Sequence, residues 1–396
     1  MIWGGYGVSL SNGAQFDLAL IQRAAIDHYP PTINQANMLA EAGLRVVALD
    51  GGIGAPPDAL HSDVRLVRSL QGAPTGAVSR LLGIIRFLLA VRAVHSSTSI
   101  KARIGYDSPG IASMAATRFQ GLTVCHFHEY PEIPSNEGRK VDAQHRVARR
   151  LARSSDLTVM PDSYRAEAVA QEEKLERFPT VVRNCPRRLT RLPADKLRGA
   201  ISGRQGRFTV LFQGAVSENY YASTIVRSMA WWPVESVVVF LGPVKDELEG
   251  RLIELARDMD VSQRVVLLPQ VPYSALFGYT VGADLGLTLI KPHTFNFAHM
   301  AGASNKRYEF MACGIPQISN RGPGMQELIE GNEVGICVDP DNPEELGRQI
   351  AYLLRDEPLR RRMGERGRRL HIKEYNYEVQ FAEVLEALVS SLEGLT

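Results

Sequence analysis

The strongest constraint on the fold is an alternation of short β-rich runs with helical patterns, which occurs twice along the 396 residues. Strand-like runs of the first series lie at residues 16–25, 45–49, 102–106, 122–127 and 157–160. Those of the second series lie at residues 208–212, 237–241, 265–268, 285–290 and 316–319. Because helical patterns of about 10–15 residues separate many of these runs, the sequence predicts α/β structure with parallel sheets covered by helices.

The alternation stops between residues 184 and 207, where Pro, Gly and Arg are frequent. We therefore predict a first domain at residues 1–190, a second at 205–375 and a C-terminal helix at 376–396. Two domains also agree with the length, since single cores stop growing near about 250–300 residues. Two doubly wound parallel-sheet domains that face a cleft are the predicted fold class, and the cleft is the expected ligand site.

Charge and cysteine content bear on the partners and the compartment of the protein. Lys plus Arg total 45 and Asp plus Glu total 43, so the net charge of +2 gives no reason to expect nucleic acid as a partner. The four cysteines lie far apart without a Cys-x-x-Cys pair, which indicates small core residues in a reducing compartment. No signal-peptide pattern opens the chain, and we expect a cytoplasmic location.

The most apolar stretch runs from Leu81 to Val94 and is interrupted by Arg86 and Arg92. It is too short to span a bilayer. At about 100° per residue, Arg80, Arg86 and Arg92 fall on three sides of a helix, so the stretch has no clean polar face. A packed helix and a helix that docks on a membrane surface are both compatible with this pattern.

One short segment carries the clearest chemistry. Ser304 is placed to cap a helix at residues 305–313, and Gly314 is placed to end it. Lys306 and Glu309 are three residues apart and share a face near the amino end, where the helix dipole favours an anion. A phosphate docked there would meet Lys306, while Glu309 could accept two hydroxyl hydrogens from an attached ribose. The alternative is an i,i+3 ion pair on a solvated helix.

The run from Ser304 to Pro316 contains Ser-Asn-Lys and then Glu-Phe-Met-Ala-Cys-Gly-Ile-Pro. It resembles the donor-binding signature of the retaining glycosyltransferases of family 4, which have the GT-B fold of two Rossmann-like domains. The similarity covers residues 208–380 and is weaker in the first half, where it rests on the His-Phe-His-Glu-Tyr-Pro run at 126–131 and two shorter segments. It implies transfer from a UDP-, GDP- or ADP-sugar to a glycan, lipid-linked or small-molecule acceptor, with retention of configuration and no cofactor or metal.

The resemblance also implies roles for individual residues. Lys306 would stabilise the departing diphosphate together with backbone N–H groups near Ala303, Ser304 and Asn305. Lys291 is a candidate second cation.

Two further residues are candidates at strand ends. Gly214 follows the strand at 208–212, where a glycine lets a ligand approach the backbone. His128 follows the strand at 122–127 and is the candidate, besides Lys306, for a catalytic contact with the donor sugar. A lone histidine in such a place is also often a structural residue.

The sequence departs from the family pattern at two positions. The family often has a second glutamate eight residues before the position of Glu309, but Ala301 stands there in this sequence. A basic residue often follows the glycine turn, but here the position is Val216. We expect a subgroup in which Lys306 is the main diphosphate cation. The alternatives are a GT-B sugar-nucleotide epimerase and a catalytically silent nucleotide-sugar-binding subunit.

Three other patterns have less specific interpretations. Asp339-Pro340-Asp341 matches a metal-binding D-x-D pattern, but Asn342 and Pro343 place it in a turn before a helix. Arginine-rich runs at 146–153 and 360–369 indicate solvated helix faces or peripheral contact with an anionic membrane at its inner face. The C-terminal amphipathic helix is expected to cross back to the first domain.

Overall fold

The computed structural model describes residues 14–69, 76–131, 139–203 and 208–394. Its contacts divide the chain into one unit of Met1–Arg183 with Gln380–Thr396 and a second unit of Asn184–Val379. The division therefore falls between Arg183 and Asn184, whereas the sequence placed the end of the first domain at residue 190. The glycine-rich start and residues 204–207 of the predicted linker lie outside the described residues.

The first unit is built on parallel strands. In chain order they are β1 (Ala14–Gln15), β2 (Leu18–Gln22), β3 (Val46–Asp50), β4 (Arg65–Arg68), β5 (Thr98–Ser99), β6 (Ala102–Tyr106), β7 (Leu122–His126), β8 (Leu157–Met160) and β9 (Thr180–Val181). Within the described residues, β1 pairs with β5 and the others form a sheet in the order β4-β3-β2-β6-β7-β8-β9. Every residue of β2, β3 and β6 is buried, as expected for strands covered on both faces.

Five α-helices lie between these strands along the described part of the chain. They are α1 (Pro30–Glu41), α2 (Ala77–Ser97), α3 (Asp107–Ser113), α4 (Arg139–Arg153) and α5 (Ser163–Glu173), with 3₁₀ turns at Ile26–His28 and Met114–Ala116. The sequence pattern predicts a proline-rich loop at residues 27–32 and a helix at residues 33–42. Both bounds are wrong, because α1 begins at Pro30. Proline suits the first helical position, since the N–H it lacks would have no helical acceptor there.

Other boundaries in this unit also shifted. The strand predicted at 16–25 is only β2. The sequence pattern also predicts a helix from Pro109 to about residue 119, where the structure has α3 followed by a 3₁₀ turn. The sequence missed β4, which lies at the sheet edge and has an arginine on each side of Leu66 and Val67. Edge strands are short and partly polar, so they lack the continuous apolar run that identified the others.

The second unit contains one parallel sheet in its described residues. Its strands are β10 (Phe208–Gln213), β11 (Ser236–Leu241), β12 (Val265–Leu268), β13 (Leu285–Thr288), β14 (Gln317–Asn320) and β15 (Gly335–Val338). Their order is β12-β11-β10-β13-β14-β15, so the chain reverses its direction across the sheet between β10 and β13. Connections diverge at such a switch point and leave a crevice at the carboxyl ends of the two strands.

Helices cover this second sheet. They are α6 (Leu197–Ala200), α7 (Ala222–Ser228), α8 (Asp246–Asp258), α9 (Tyr273–Thr280), α10 (Phe295–Ala298), α11 (Asn305–Cys313), α12 (Met325–Ile329), α13 (Pro343–Arg355) and α14 (Glu357–Lys373). The C-terminal helix α15 (Tyr377–Glu393) begins in this unit. Short 3₁₀ turns lie at Glu218–Tyr220, Met229–Trp231 and Ser262–Arg264. The predicted bounds of α11 are confirmed. The last residues of α15, from Gln380 onward, group with the first unit.

The cysteines and many arginines have structural roles. All four cysteines are free thiols and buried, which confirms their interpretation as core residues. In the run at 360–369, Arg360 donates to the Leu353 carbonyl at 2.8 Å and Arg368 to the Ala312 carbonyl at 2.6 Å. Nothing in the described residues is both long and apolar enough to form a membrane-spanning helix.

Candidate active site

The amino end of α11 lies beside the switch point of the second sheet. Ser304 occupies the N-cap position with extended backbone, and Gly314 ends the helix with φ 71°. Among the described residues the Ser304 side chain makes no cap hydrogen bond, and its N–H donates to Met300 O at 3.2 Å. The prediction of free N–H groups near Ala303–Asn305 is therefore corrected at Ser304. The amides without helical acceptors begin at Asn305.

Lys306 extends from this helix end toward the carboxyl end of β10. Its Nζ lies 4.3 Å from the ring centroid of Phe212 and 4.4 Å from that of Tyr220. A Cβ added to Gly214 would lie 3.4 Å from the same Nζ, and Gly214 has φ +106°, a conformation that side chains rarely adopt. The glycine turn therefore lets the ammonium lie against the backbone, whereas the approach of a ligand to this turn stays a prediction.

The charge on Lys306 is poorly stabilised by its surroundings. Burial, assisted by the positive charge of Arg307, lowers the pKa of Lys306 from 10.5 to about 7, while Glu309 acts in the opposite direction. The ammonium lies over the rings of Phe212 and Tyr220, and this cation–π attraction only partly replaces the lost hydration. A bound anion would restore the stability of the charged form.

Glu309 lies one turn deeper and is only 4% exposed. Its Oε2 accepts from Gln213 Nε2 at 2.6 Å, and Gln213 Oε1 in turn accepts from Thr280 Oγ1 at 2.9 Å. Tyr273 also hydrogen-bonds to the carboxyl group. Burial raises the pKa of Glu309 to about 7, although the Gln213 hydrogen bond, the Lys306 charge and the Tyr273 hydrogen bond lower it. These partners hold the carboxyl group in one orientation.

Sequence reasoning missed Gln213, Tyr273 and Thr280. Gln213 is the last residue of β10, and a polar residue at the carboxyl end of a buried strand is a signal for a site. The other two lie on α9, and no local pattern distinguishes them. The solvated i,i+3 ion pair considered for Lys306 and Glu309 is wrong, because Glu309 is buried and bonds to a strand and a second helix.

Lys291 lies in the loop after β13. The glycine turn follows β10, the strand next to β13 at the switch point. The Lys291 N–H donates to Asn219 O at 2.8 Å, which ties the loop after β13 to the loop after β10. Its Nζ lies 5.1 Å from the ring centroid of Tyr221, the residue next to the Tyr220 ring that contacts Lys306. The structure therefore brings the predicted residues Gly214, Lys291 and Lys306 to the same pair of loops.

Asn184 holds the loop that enters α11. Its N–H donates to Gly302 O at 2.9 Å and its Nδ2 to Ala303 O at 2.8 Å. Its own Oδ1 is buried and has no hydrogen-bond partner among the described residues. Ala303 therefore contributes a fixed backbone to the site, and Asn184 is a positioning residue that sequence reasoning gave no role.

Arg307 supports the same loop from below. It is fully buried and donates from Nη1 to Met300 O and from Nη2 to Thr288 O, both at 3.1 Å. These bonds connect the end of β13 to the residues just before the helix. Sequence reasoning missed Arg307, because an arginine next to a lysine on a helix is usually an exposed residue.

The sequence profile of the family described as Glycosyl transferases group 1 matches residues 195–370, which include every residue of this site except Asn184. This segment is a group 1 glycosyl transferase domain. A curated relative, the N-acetyl-alpha-D-glucosaminyl L-malate synthase of Bacillus anthracis, is 28% identical over 127 residues, 32% of this chain and 31% of that protein. The chain thus spans about a third of the length of the curated relatives it matches.

Solved glycosyltransferases share the whole fold. Sucrose-phosphate synthase from Thermosynechococcus elongatus gives a TM-score of 0.74 at 18% identity, over 96% of this chain and 100% of that one. Anabaena HepE, solved with UDP and glucose, gives 0.69 at 14% identity over 95% and 100%. The chain therefore has the GT-B fold, with two parallel-sheet α/β domains and a C-terminal helix.

The group 1 domain contributes no carboxylate at the position of the missing family glutamate. Ala301 is buried in an apolar cluster with Tyr308 and Met311. Its carbonyl accepts from the Tyr308 hydroxyl at 2.9 Å. The position therefore supports the loop, and a donor contact there would have to come from another group.

The D-x-D pattern of the group 1 domain lies in a turn, as predicted. Asp339 Oδ1 accepts from the Asp341 N–H at 3.0 Å, and Asp341 Oδ2 accepts from the Tyr221 hydroxyl at 3.3 Å. Asn342 caps α13 by accepting from the N–H groups of Glu344 and Glu345. Both aspartates are therefore engaged in local structure.

His128 lies just beyond β7 in the first unit and is 5% exposed. Its ring stacks on those of Tyr29 and Tyr106, with centroids 5.5 Å away in each case. Its Nε2 lies 3.0 Å from Thr32 Oγ1, and its buried Nδ1 has no hydrogen-bond partner in the described residues. Burial lowers the pKa of His128 to about 4, so the ring is neutral near pH 7.

The main chain around His128 is also held firmly. Its N–H donates to Asp107 Oδ1 at 2.7 Å, and its carbonyl accepts from Arg165 Nη1 at 2.8 Å. Asp107 itself has φ 50°, an uncommon conformation outside glycine. These groups lie at the carboxyl ends of β6 and β7, where doubly wound sheets bind ligands. Contact of His128 with a donor sugar stays a prediction.

Proposed function

We propose that the protein is a retaining glycosyltransferase that moves a sugar from a nucleotide-sugar donor to a glycan, lipid-linked or small-molecule acceptor. The observation that supports this most is Lys306 at the amino end of α11 beside Gly214, with the oriented carboxyl group of Glu309 one turn deeper. The group 1 match over the same residues supports the proposal independently.

The donor's diphosphate would bind at the amino end of α11. Lys306 and the first-turn amides from Asn305 onward supply positive charge there, and Lys291 is placed on the adjoining loop. Glu309 would accept hydrogen bonds from ribose hydroxyls through the lone pairs that Gln213 and Tyr273 leave open. HepE, which has the same fold, was solved with UDP and glucose, and this supports a nucleotide-sugar donor.

In the proposed reaction the bond between the anomeric carbon and the diphosphate oxygen breaks, and the acceptor oxygen bonds to the same face of that carbon. The acceptor hydroxyl gives its proton to the leaving diphosphate. Negative charge on the diphosphate grows as the bond breaks, so the ammonium of Lys306 stabilises the transition state more than the bound donor. This assignment uses no metal ion or other cofactor. His128 is the proposed contact to the sugar.

Incubation with a panel of UDP-, GDP- and ADP-sugars tests this proposal. We expect slow hydrolysis of one donor without acceptor, and transfer when a suitable acceptor is present. Lys306→Ala should lower turnover more than it weakens donor binding, whereas the exposed control Lys373→Ala should behave as the wild type. An isomerised sugar would instead indicate an epimerase, and binding without turnover a silent subunit.

A further inference from the structure

Helix α2 is apolar on two opposite faces. Phe87, Val91 and Val94 are fully buried against the first unit. On the other side Val78 is 73%, Leu81 58% and Leu89 53% exposed, and Leu82 and Ile85 are exposed as well. At about 100° per residue these five exposed residues fall within an arc of about 100°. One face of the helix is therefore packed, and the opposite face is an apolar stripe in contact with solvent.

This stripe is unusual within the described residues. In the second unit the exposed apolar side chains, such as Val234 and Ile253, are scattered singly. Soluble proteins rarely expose contiguous apolar surface of this kind unless it contacts a partner or a membrane. The stripe on α2, defined as Val78, Leu81, Leu82, Ile85 and Leu89, therefore requires an occupant.

The charges on α2 indicate which occupant fits. The helix contains no acidic residue, and Arg80, Arg86 and Arg92 are all exposed. A second copy packed on the stripe would bring the same arginines of both copies together without acidic groups of α2 to neutralise them. Anionic lipid headgroups would neutralise them, while the stripe enters the boundary between headgroups and acyl chains.

A second basic helix lies on the same side of the sheet. The chain crosses from β4 to β6 through α2 and from β7 to β8 through α4, in the same direction across the sheet. Right-handed crossovers in one direction place their helices on one face. On α4, Arg149 and Arg153 pair with Glu173, whereas Arg150 is exposed. Part of this arginine run is thus structural, and part adds positive charge to the face that carries α2.

We propose that the stripe on α2 docks the protein on the surface of an anionic bilayer. The helix lies in the plane of the interface, with the stripe among the acyl chains. Arg86 flanks the stripe, and Arg92, which falls within its arc beyond Leu89, reaches the headgroups along its apolar stem. The stripe shares no residue with the donor site. The proposal therefore does not depend on whether the protein transfers sugars.

Flotation of the full-length protein with vesicles tests the proposal. One set contains phosphatidylcholine alone, and the other contains about 30 mol% phosphatidylglycerol. We expect the wild type to float with the anionic vesicles and much less with the neutral ones. The variant Leu81→Ser/Ile85→Ser/Leu89→Ser should lose at least tenfold in binding. The matched control Val234→Ser/Ile253→Ser changes exposed residues elsewhere and should bind as the wild type.

A second pair of variants tests the charges. Arg86→Gln/Arg92→Gln should bind anionic vesicles about 30-fold more weakly, since each arginine near such a surface contributes about 1 kcal/mol. The control Arg362→Gln/Arg366→Gln removes two exposed arginines from α14 and should have no effect.

Three outcomes would overturn the proposal: no flotation of the wild type, equal flotation with neutral vesicles, or full binding by the serine variant. Sedimentation that shows a dimer lost in the serine variant, without vesicle binding, would identify a second copy as the occupant instead. Nucleotide binding by the serine variant should match the wild type. Vesicle binding without any nucleotide binding would refute the proposed function alone.

Discussion

Raising the pH should weaken nucleotide binding, because it removes the proton from Lys306. Burial lowers the pKa of Lys306 to about 7 in the free protein. The charged fraction then falls from about one half at pH 7 to about 3% at pH 8.5, which is about a 16-fold loss. The pKa of Glu309 is raised by burial to about 7, so its ionised fraction grows about twofold over the same interval. The expected net loss of affinity is about eightfold, or about 1.2 kcal/mol.

Isothermal titration calorimetry with UDP, GDP or ADP, whichever binds best, measures this loss. The terminal phosphate of the nucleoside diphosphate has its last pKa at about 6, so it is ionised between pH 7 and about 8.5. Lys306→Arg should abolish the loss, since a guanidinium keeps its charge, and should leave only the gain of about twofold from Glu309. The exposed control Lys373→Arg should show the same loss as the wild type.

Two results would contradict this reasoning. A wild-type affinity that stays constant from pH 7 to about 8.5 would mean that the charge of Lys306 is not needed for binding or does not titrate there. An equal loss in Lys306→Arg would assign the titrating proton to another group.

Three further predictions concern the residues around Lys306. Glu309→Gln should weaken nucleotide binding by about 1.5–3 kcal/mol, measured by calorimetry. The pKa of Glu309 is raised from 4.5 to about 7 in the folded protein, so the wild type loses stability as the pH rises through this range. At pH 8 the free energy of unfolding of Glu309→Gln should therefore exceed that of the wild type by up to about 3 kcal/mol. Equal melting temperatures of the two proteins at pH 8 would contradict this. Gly214→Ala should cost about 1–3 kcal/mol of stability by placing a side chain at φ +106° and should weaken nucleotide binding by displacing Lys306; unchanged denaturant curves and titrations would rule this out. Asn184→Ala should lower the free energy of unfolding by about 0.5–1.5 kcal/mol, because the hydrogen bond to the Ala303 carbonyl is lost, and thermal melts measure this. It should also weaken nucleotide binding if the loop before α11 positions the site.

The bounds of α11 were predictable because the signals that set them are local. Ser304 takes the N-cap conformation, Gly314 takes the left-handed one, and three-residue spacing puts Lys306 and Glu309 on one face. The start of α1 was predicted wrongly for an equally local reason, since proline was taken as a loop signal where it is also a good first helical residue.

The neighbours of Glu309 were not predictable in this way. Gln213 and Tyr273 come from a strand and a helix far away in the chain, and only the packing of the sheet against α9 and α11 brings them to the carboxyl group. Asn184 reaches the Ala303 carbonyl across a similar separation. Hydrogen bonds between distant segments leave no periodic pattern in a sequence.

The amino-acid sequence by itself determined the alternation of strands and helices, the two parallel sheets and the helix that carries Lys306 and Glu309, because apolar periodicity and helix-end residues act over a few positions. Only the tertiary structure decided the strand order, the pKa values of Lys306 and Glu309, and which apolar face of α2 is covered. Burial and electrostatic environment depend on what distant segments place around a residue. For α2 in particular, both faces are apolar, so the sequence pattern alone could not distinguish the packed face from the exposed one.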